Sequence, residues 1–450
     1  MYHLYGALLT LAWTAVLPYQ MVMALLKRTT LPPFRERLGF LPGNVPPGGF
    51  WIHAVSVGEV RLALTLLPLL RERFPGAAIH VTTGTTTGRA LAAAGGGAAT
   101  GAGEAGTRSS RAAPPESIAA LPFDLPFAMV RLLDRLRPRA LLIVETEIWP
   151  NLLRLCARRG VPVFVVNGRI SPRTYPRYLA LGPFLRRALQ GVSRFGMQSG
   201  EDAERIESLG APAHRVRVTG NLKFDLPPSR ADRDGVRRKL GLPTGEPLFV
   251  AGSTAAGEEE PVLRAFRVVR DQDASARLVL APRHPENFAP GENAARAAGH
   301  RVALWSRLVP ATAQAVSWDV LVLDALGVLP EVYAAADLVF VGGSLVPRGG
   351  HNVLEPAALG KPVLFGPHMD NFRAAAEALT AAGAGFVARD GQDLGDLAVR
   401  LLTDRAGYGV SSAMALRVVE ANRGALRKTM AMLEEVLAPA RTQDRKVART

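Results

Sequence analysis

Residues 342–356 read Gly-Gly-Ser-Leu-Val-Pro-Arg-Gly-Gly-His-Asn-Val-Leu-Glu-Pro, a stretch with the make-up of a phosphate-binding turn. An apolar run, 337–341, leads in as a buried strand would, and 352–359 has the composition of a helix start. Glycine lets a backbone approach a ligand closely and adopt left-handed dihedrals. A helix N-terminus offers unpaired N–H groups and partial positive charge. Gly350, Asn352, Val353, Leu354 and Glu355 are therefore candidate nucleotide contacts, with Glu355 placed to accept hydrogen bonds from a sugar's vicinal hydroxyls. The same residues would also build a plain glycine-rich connection capped by Asn352, and the loop alone does not choose between the two.

Other stretches carry charge where strands end. Val55-Ser-Val-Gly-Glu59 opens a helix after an apolar run, so Glu59 is either a general base or a complement to the helix dipole. Glu145-Thr-Glu147 follows the apolar run 140–144; two acids directly after a buried strand are costly without a task there. On an extended segment Glu145 and Glu147 would point the same way, one catalytic and one structural; the other reading is an acidic helix start. Lys223, in Gly220-Asn-Leu-Lys-Phe-Asp225, could meet a substrate carboxylate or a leaving phosphate, or be a solvated loop lysine. Ser253 and Thr254 could bond a phosphate through hydroxyl and backbone N–H. Pro282-Arg283-His284 brings a planar guanidinium that matches phosphate, with His284 as a further donor, or else forms a surface turn. His351 and Glu355 have a metal-ligand spacing, but no third ligand lies nearby and no metal site is expected. Serine-hydrolase elbows and P-loops are missing from the sequence.

The elements needed to hold these groups are legible as alternation. Strands are expected at 50–55, 78–83, 140–144, 161–166, 191–197 and 216–219, with helices at 59–74 and 149–159. The pattern restarts with strands at 248–251, 277–280, 320–323, 338–341 and 362–365 and a helix at 258–270. Such βαβ alternation predicts an α/β chain with parallel sheets: two Rossmann-like domains facing a cleft, with ligands outside the carboxyl ends of the strands. The expected boundaries are an anchor at 1–28, a first domain at 29–228, a linker at 229–246, a second domain at 247–438 and a basic tail at 439–450. The segment 92–120 is nearly devoid of apolar residues larger than alanine and reads as an irregular insertion.

Composition narrows the partners. The 450 residues are 48% apolar and 21% charged, which is globular, and the net charge of +15 favours acidic partners. The basic residues are dispersed without aromatic interleaving, against a dedicated nucleic-acid binder. With Cys156 alone, no intramolecular disulfide can form. Residues 4–26 are almost free of charge and close on Lys27-Arg28, which suits an uncleaved membrane anchor, spanning or interfacial, with the following domain on the cytoplasmic side; the other reading is a buried first helix of the folded domain.

Taken together, the motifs resemble the 3-deoxy-D-manno-octulosonate (Kdo) transferases of lipopolysaccharide synthesis. The matching runs are His53-Ala-Val-Ser-Val-Gly-Glu59, Leu121-Pro-Phe-Asp-Leu-Pro126, Val144-Glu-Thr-Glu-Ile-Trp-Pro-Asn151, Asn167-Gly-Arg-Ile-Ser171, Val218-Thr-Gly-Asn-Leu-Lys-Phe-Asp225, Pro282-Arg-His-Pro285, Phe340 through Asn352, and Gly366-Pro-His368. The resemblance implies a GT-B glycosyltransferase that inverts the anomeric centre. It implies CMP-Kdo as donor, a lipid A precursor (lipid IVA) as acceptor, no separate cofactor, and work at the cytoplasmic face of an anionic inner membrane. It implies Glu59 as general base, with Glu145 and Lys223 assisting the transition state. CMP would be held by Pro282 and Arg283, by Leu326, Gly327 and Val328, and by the helix start from Asn352 to Glu355.

The chain departs from the family pattern at four places. Ala255 stands where a His is usual, Val328 where a Glu is common, and Gly200 at an often acidic position. Residues 92–120 match nothing where a helix and a strand would be expected. The competing readings are a GT-B enzyme using a UDP-sugar, whether a glycosyltransferase or a 2-epimerase, and a non-catalytic lipid- or nucleotide-binding protein.

Overall fold

The computed structural model describes residues 2, 5–7, 9–11, 13, 34–43, 45–95, 113–172, 174–225, 229, 231–242, 245–308 and 317–438. These fall into two compact units. The first holds the described residues up to 225 and again from 423; the second holds those from 229 to 422.

The first unit is built on a seven-stranded parallel sheet ordered β3-β2-β1-β4-β5-β6-β7. Its strands are β1 (Phe50–His53), β2 (Ile79–Thr83), β3 (Ser117–Ala120), β4 (Ala140–Val144), β5 (Val163–Gly168), β6 (Arg194–Met197) and β7 (Val216–Val218). Strands β1, β2 and β4 are buried along their whole length, as apolar runs in a parallel sheet covered on both faces must be. Helices α1 (Val57–Arg73), α2 (Pro126–Leu136) and α3 (Pro150–Arg158) follow β1, β3 and β4. Chain order reverses between β1 and β4, which pair in parallel from Phe50 opposite Ala140 to His53 opposite Ile143. At such a switch point the connections leave toward opposite faces and open a crevice at the strands' carboxyl ends.

The second unit repeats the plan, in the order β10-β11-β9-β8-β12-β13-β14. Its strands are β8 (Leu248–Thr254), β9 (Arg277–Pro282), β10 (Val302–Leu304), β11 (Val320–Val322), β12 (Leu338–Val341), β13 (Val363–Phe365) and β14 (Gly385–Val387). Helices α4 (Glu259–Gln272), α5 (Leu329–Ala335), α6 (Leu354–Ala357) and α7 (Gly391–Thr403) belong to it. Its switch point lies between β8 and β12, paired from Leu338 opposite Phe249 to Val341 opposite Gly252.

Several boundaries differ from the sequence expectation. The last residues of the expected insertion, Ser117–Ala120, form strand β3 and pair with β2; 96–112 lie outside the described residues. The expected linker contains a helix, Arg233–Lys239, inside the second unit, where buried Arg237 reaches Asp337 at 3.1 Å. The final helix, α8 (Ala425–Leu437), belongs to the first unit rather than the second. Its Ala425, Met430, Met432 and Leu433 complete the core formed by Phe50, Ile52, Leu142 and Phe164. An amphipathic helix needs an apolar surface to cover, and the first sheet supplies it.

Among the described residues no helix is long and apolar enough to cross a membrane. The expected anchor at 4–26 and the tail at 439–450 lie mostly or wholly outside the described residues. The described N-terminal residues pack on the first unit. Tyr5 donates to Asp124 at 3.1 Å, and the rings of Trp13 and Phe123 lie 3.9 Å apart.

Candidate functional site

The switch point of the first unit gathers three carboxylates. Ser56 caps α1: its Oγ accepts from the Glu59 N–H at 3.3 Å and donates to Glu59 Oε1 at 2.8 Å. Glu59 Oε2 accepts from the Val55 N–H at 2.7 Å. Serine at the cap and glutamate three residues on are the reciprocal box that closes a helix start. Burial pushes the Glu59 carboxyl up from its ordinary range, and the donors from Ser56 and Val55 pull it back. Glu145 adds an upward push.

Glu145 leaves β4 with φ 62°, the left-handed region that a non-glycine residue enters only under constraint. Its N–H donates to Val166 O at 2.8 Å, and one carboxylate oxygen lies 3.7 Å from Lys223 Nζ. Lys223 is held from both sides. Asn167, itself at φ 57°, accepts from the Leu222 N–H at 2.9 Å. Asp225 accepts from Gly424 N–H at 2.7 Å and Leu426 N–H at 2.5 Å, clamping the turn Leu222–Asp225 to the start of α8. The final helix thus fixes the lysine that faces Glu145.

Glu147 completes the set. Glu59, Glu145, Thr146 and Glu147 line one side of a cavity of about 270 Å³; Arg169, Ile170, Ser171, Thr174 and Tyr178 line the rest. The segment is not extended as expected, since Glu145 is left-handed, yet both acids line this cavity. Burial, then Glu59, then Glu145 push the Glu147 carboxyl up to about 7. The arrangement offers a base at Glu59, a cation next to an acid at Lys223 and Glu145, and hydroxyls to hold a polar substrate.

The switch point of the second unit is built on backbone amides. Glu258, fully buried, accepts four N–H groups. Its Oε2 takes those of Ala255 at 2.8 Å and Gly343 at 2.6 Å; Oε1 takes those of Ser344 at 2.9 Å and Leu345 at 2.8 Å. This carboxylate ties the loop after β8 to the loop after β12. Sequence reasoning placed it only at a helix start. A Cβ on Gly342 would lie 2.7 Å from Glu258 Oε2 and 2.6 Å from Thr254 Cα, so that glycine serves the clamp rather than a ligand. Gly343, Gly349 and Gly350 take φ of 68°, 87° and 71°, which only glycine adopts freely.

The remaining expected nucleotide contacts are distributed as follows. Arg283 follows β9, is exposed, and its N–H donates to Thr254 O at 2.9 Å. Arg283 and His284 lie near enough to His351 to help burial push its imidazole down to about 4, so His351 is neutral at pH 7. Arg283 and Glu355 both act on buried Tyr333, whose hydroxyl occupies the space a Cβ on Gly252 would need. Asn352 accepts from the Leu354 N–H at 3.1 Å and donates to Glu355 Oε1 at 3.2 Å. The expected helix 352–359 is the single turn α6, with Val353 buried at its cap and Leu354 buried at its first position. Leu326 is exposed, Gly327 has φ 87° and Val328 is buried at the start of α5. Ser253 is half-buried at φ 56°, whereas the Thr254 side chain is wholly buried. The sealed hydroxyl of Thr254 does not offer the phosphate contact expected of it. Pro282 is buried at the end of β9. Among the described residues no group of three or more His, Cys, Asp or Glu side chains could hold a metal ion.

A family model described as 3-Deoxy-D-manno-octulosonic-acid transferase (kdotransferase) matches residues 33–226. The 3-deoxy-D-manno-octulosonic acid transferase of Bordetella pertussis is 37% identical over 390 residues, covering 86% of this chain and 87% of its own. The enzyme of the same name from Haemophilus influenzae is 31% identical over 413 residues, covering 89% and 91%. Among solved structures, a putative UDP-N-acetylglucosamine 2-epimerase from Listeria monocytogenes superposes with a TM-score of 0.57 at 12% identity, covering 87% of this chain and 96% of that one. That likeness speaks to the fold, two parallel-sheet units of the GT-B kind.

Proposed function

The chain belongs to the 3-deoxy-D-manno-octulosonic acid transferase family, a family of glycosyltransferases, and from that premise we propose that it transfers Kdo from CMP-Kdo to a lipid A precursor with inversion. The observation that carries the reading is the first unit's switch point, where Glu59 and Glu145 line one cavity and Lys223 lies 3.7 Å from Glu145. Glu59 takes the proton of the attacking acceptor hydroxyl as that oxygen bonds to the anomeric carbon and the bond to the CMP phosphate breaks. Its raised affinity for a proton suits a base working near neutrality. Lys223, held against Glu145, supplies positive charge for the sugar carboxylate or the departing phosphate.

In the second unit, Arg283, Ser253, Gly327, Gly350, Asn352 and Glu355 hold CMP, and Glu258 braces the loops after β8 and β12. The net charge of +15 and the apolar run 4–26 ending in Lys27-Arg28 support an anionic, phosphorylated lipid acceptor and an anchor at the cytoplasmic face of the inner membrane.

The deciding experiment incubates the full chain with CMP-Kdo and a lipid A precursor and reads the product by mass spectrometry. Kdo adducts are expected from the native chain. Glu59→Gln is expected to slow transfer by about 10²–10⁴-fold. Undiminished transfer by the Gln variant would remove Glu59 from the mechanism. Thermal stabilisation by UDP and not by CMP would sink the donor assignment.

A further inference from the structure

Three carboxylates line the edge of the 270 Å³ cavity, and they are not equally provided for. Glu59 has a donor on each oxygen, the Ser56 hydroxyl and the Val55 N–H. Glu145 has Lys223 at 3.7 Å. Glu147 has no hydrogen-bond donor among the described residues, and the charged groups acting on it most are the other two carboxylates. Like charges crowded around a half-buried volume do not all ionise, and the proton stays on the member with the least compensation. The groups facing Glu147 are Glu59 at the start of α1, Glu145 on its own loop, and Tyr178, whose phenol is pushed up by burial and by Glu147 itself. Lys223 sits on the Glu145 side, and Arg169 lines the same cavity.

We infer that Glu147 enters the reaction as a neutral carboxylic acid and donates its O–H to an oxygen of the hydroxylated acceptor, orienting the attacking hydroxyl toward Glu59. A neutral carboxyl is both donor and acceptor, so this wall of the cavity can read a sugar's hydroxyls in either sense. Neutrality also spares the site a third negative charge while an anionic donor sugar approaches. Glu59 and Glu147 are then an ionised and a protonated carboxyl lining the same cavity, with their roles divided by environment. Burial and its two acidic neighbours place the Glu147 titration at about 7, in the range where the division is felt.

The inference rests on Glu59 as the base for its kinetic test and not for its spectroscopic one. Infrared difference spectra between pH 6 and pH 8 should show loss of a protonated carboxyl band in the native chain that Glu147→Gln lacks. The same spectra for the Gln variant retain any contribution from other acids, Asp124 included. In transfer assays, kcat/KM of the native chain should fall on the alkaline side with a midpoint near pH 7, and this limb should vanish in Glu147→Gln. Glu147→Ala, which has no donor, should be slower than the Gln variant by at least about 10-fold at pH 6.5, in line with a lost positioning contact. Thermal unfolding of both variants separates these losses from misfolding. An identical infrared difference in native and Gln chains overturns the proposal. So does a Gln variant as slow as Glu59→Gln, which would make Glu147 a proton acceptor. If Glu59→Gln stays fully active, the assignment of the base fails while the infrared test still decides the state of Glu147.

Discussion

The two switch points share a topology and invert its chemistry. In the first unit, side-chain carboxylates face a cavity and only part of their hydrogen-bonding capacity is used. In the second, Glu258 is buried with four backbone donors, and the loops it holds present glycine backbone. A carboxylate at a strand's carboxyl end is therefore not a functional group by position alone. Its partners decide: full satisfaction makes a brace, partial satisfaction leaves reactivity.

Breaking the brace should have the largest effect. Glu258→Ala leaves four N–H groups without an acceptor, three of them buried and each of those worth about 1–3 kcal/mol, so a loss of at least about 3 kcal/mol is expected. Urea unfolding, read together with protease cutting within 229–422, would detect it. A variant as stable as the native chain would show that the loops hold without the clamp. Glu59→Gln tests the other side of the contrast. It should lose about 10²–10⁴-fold in transfer, while giving up only about 1 kcal/mol of stability from the weakened helix cap. A stability loss as deep as that of Glu258→Ala would erase the distinction between brace and base.

Much of this was legible in the sequence, and what was not has physical causes. Strands β4 and β12 sit at or next to their expected positions because they are buried on both faces and read as unbroken apolar runs. Strands β10 and β14 are three residues long and only partly buried, and Gly385 opens the latter, so periodicity gives them no signature. Strand β3, Ser-Ile-Ala-Ala, lacks the bulk that marks a strand and is hidden behind a low-complexity stretch. The sequence expectation left the residues of α8 in the second domain, because an amphipathic face does not say which sheet it will cover. At the sites, Glu59, Glu145 and Lys223 stood out as charge beside strand ends. Glu258 did not, since three of its donors lie 85, 86 and 87 residues away in sequence. The residue signal that could have found it is Gly342, a glycine with ordinary φ that has no need of glycine except for close approach.

The unsatisfied carboxyl of the first unit should also mark the stability curve. Glu147 titrates near 4.5 when unfolded and at about 7 when folded, so the folded state binds more protons between those values. Its contribution to stability therefore falls as pH rises from about 4.5 to about 7 and is level beyond. Allowing for solvent screening, the fall is on the order of 2 kcal/mol. Glu59 adds a slope of the same sign. Comparing native and Glu147→Gln chains by urea unfolding at pH 5 and pH 8 isolates the Glu147 share: the variant should gain relative stability at pH 8. An equal pH slope in both chains would mean Glu147 ionises normally and that its side of the site is no less compensated than Glu258.

The smallest expected effect separates the two loops of the second unit from each other. Thr254 is wholly buried, and its hydroxyl has no hydrogen-bond partner among the described residues; what it contributes to the site is its carbonyl, which accepts from the Arg283 N–H. Replacing a buried, unpartnered hydroxyl with an isosteric methyl removes a desolvated polar group, so Thr254→Val should match the native chain or gain up to about 1 kcal/mol. The carbonyl is untouched by the substitution, so Arg283 keeps its anchor and calorimetric affinity for CMP should change by less than about 2-fold. A 10-fold weaker affinity corresponds to 1.4 kcal/mol of lost contact. A loss of that size would mean that the loop after β8 opens to let the hydroxyl reach the phosphate. In that case the second switch point, like the first, would use a side chain with spare hydrogen-bonding capacity, and the contrast between a braced site and a reactive one would narrow to Glu258 alone.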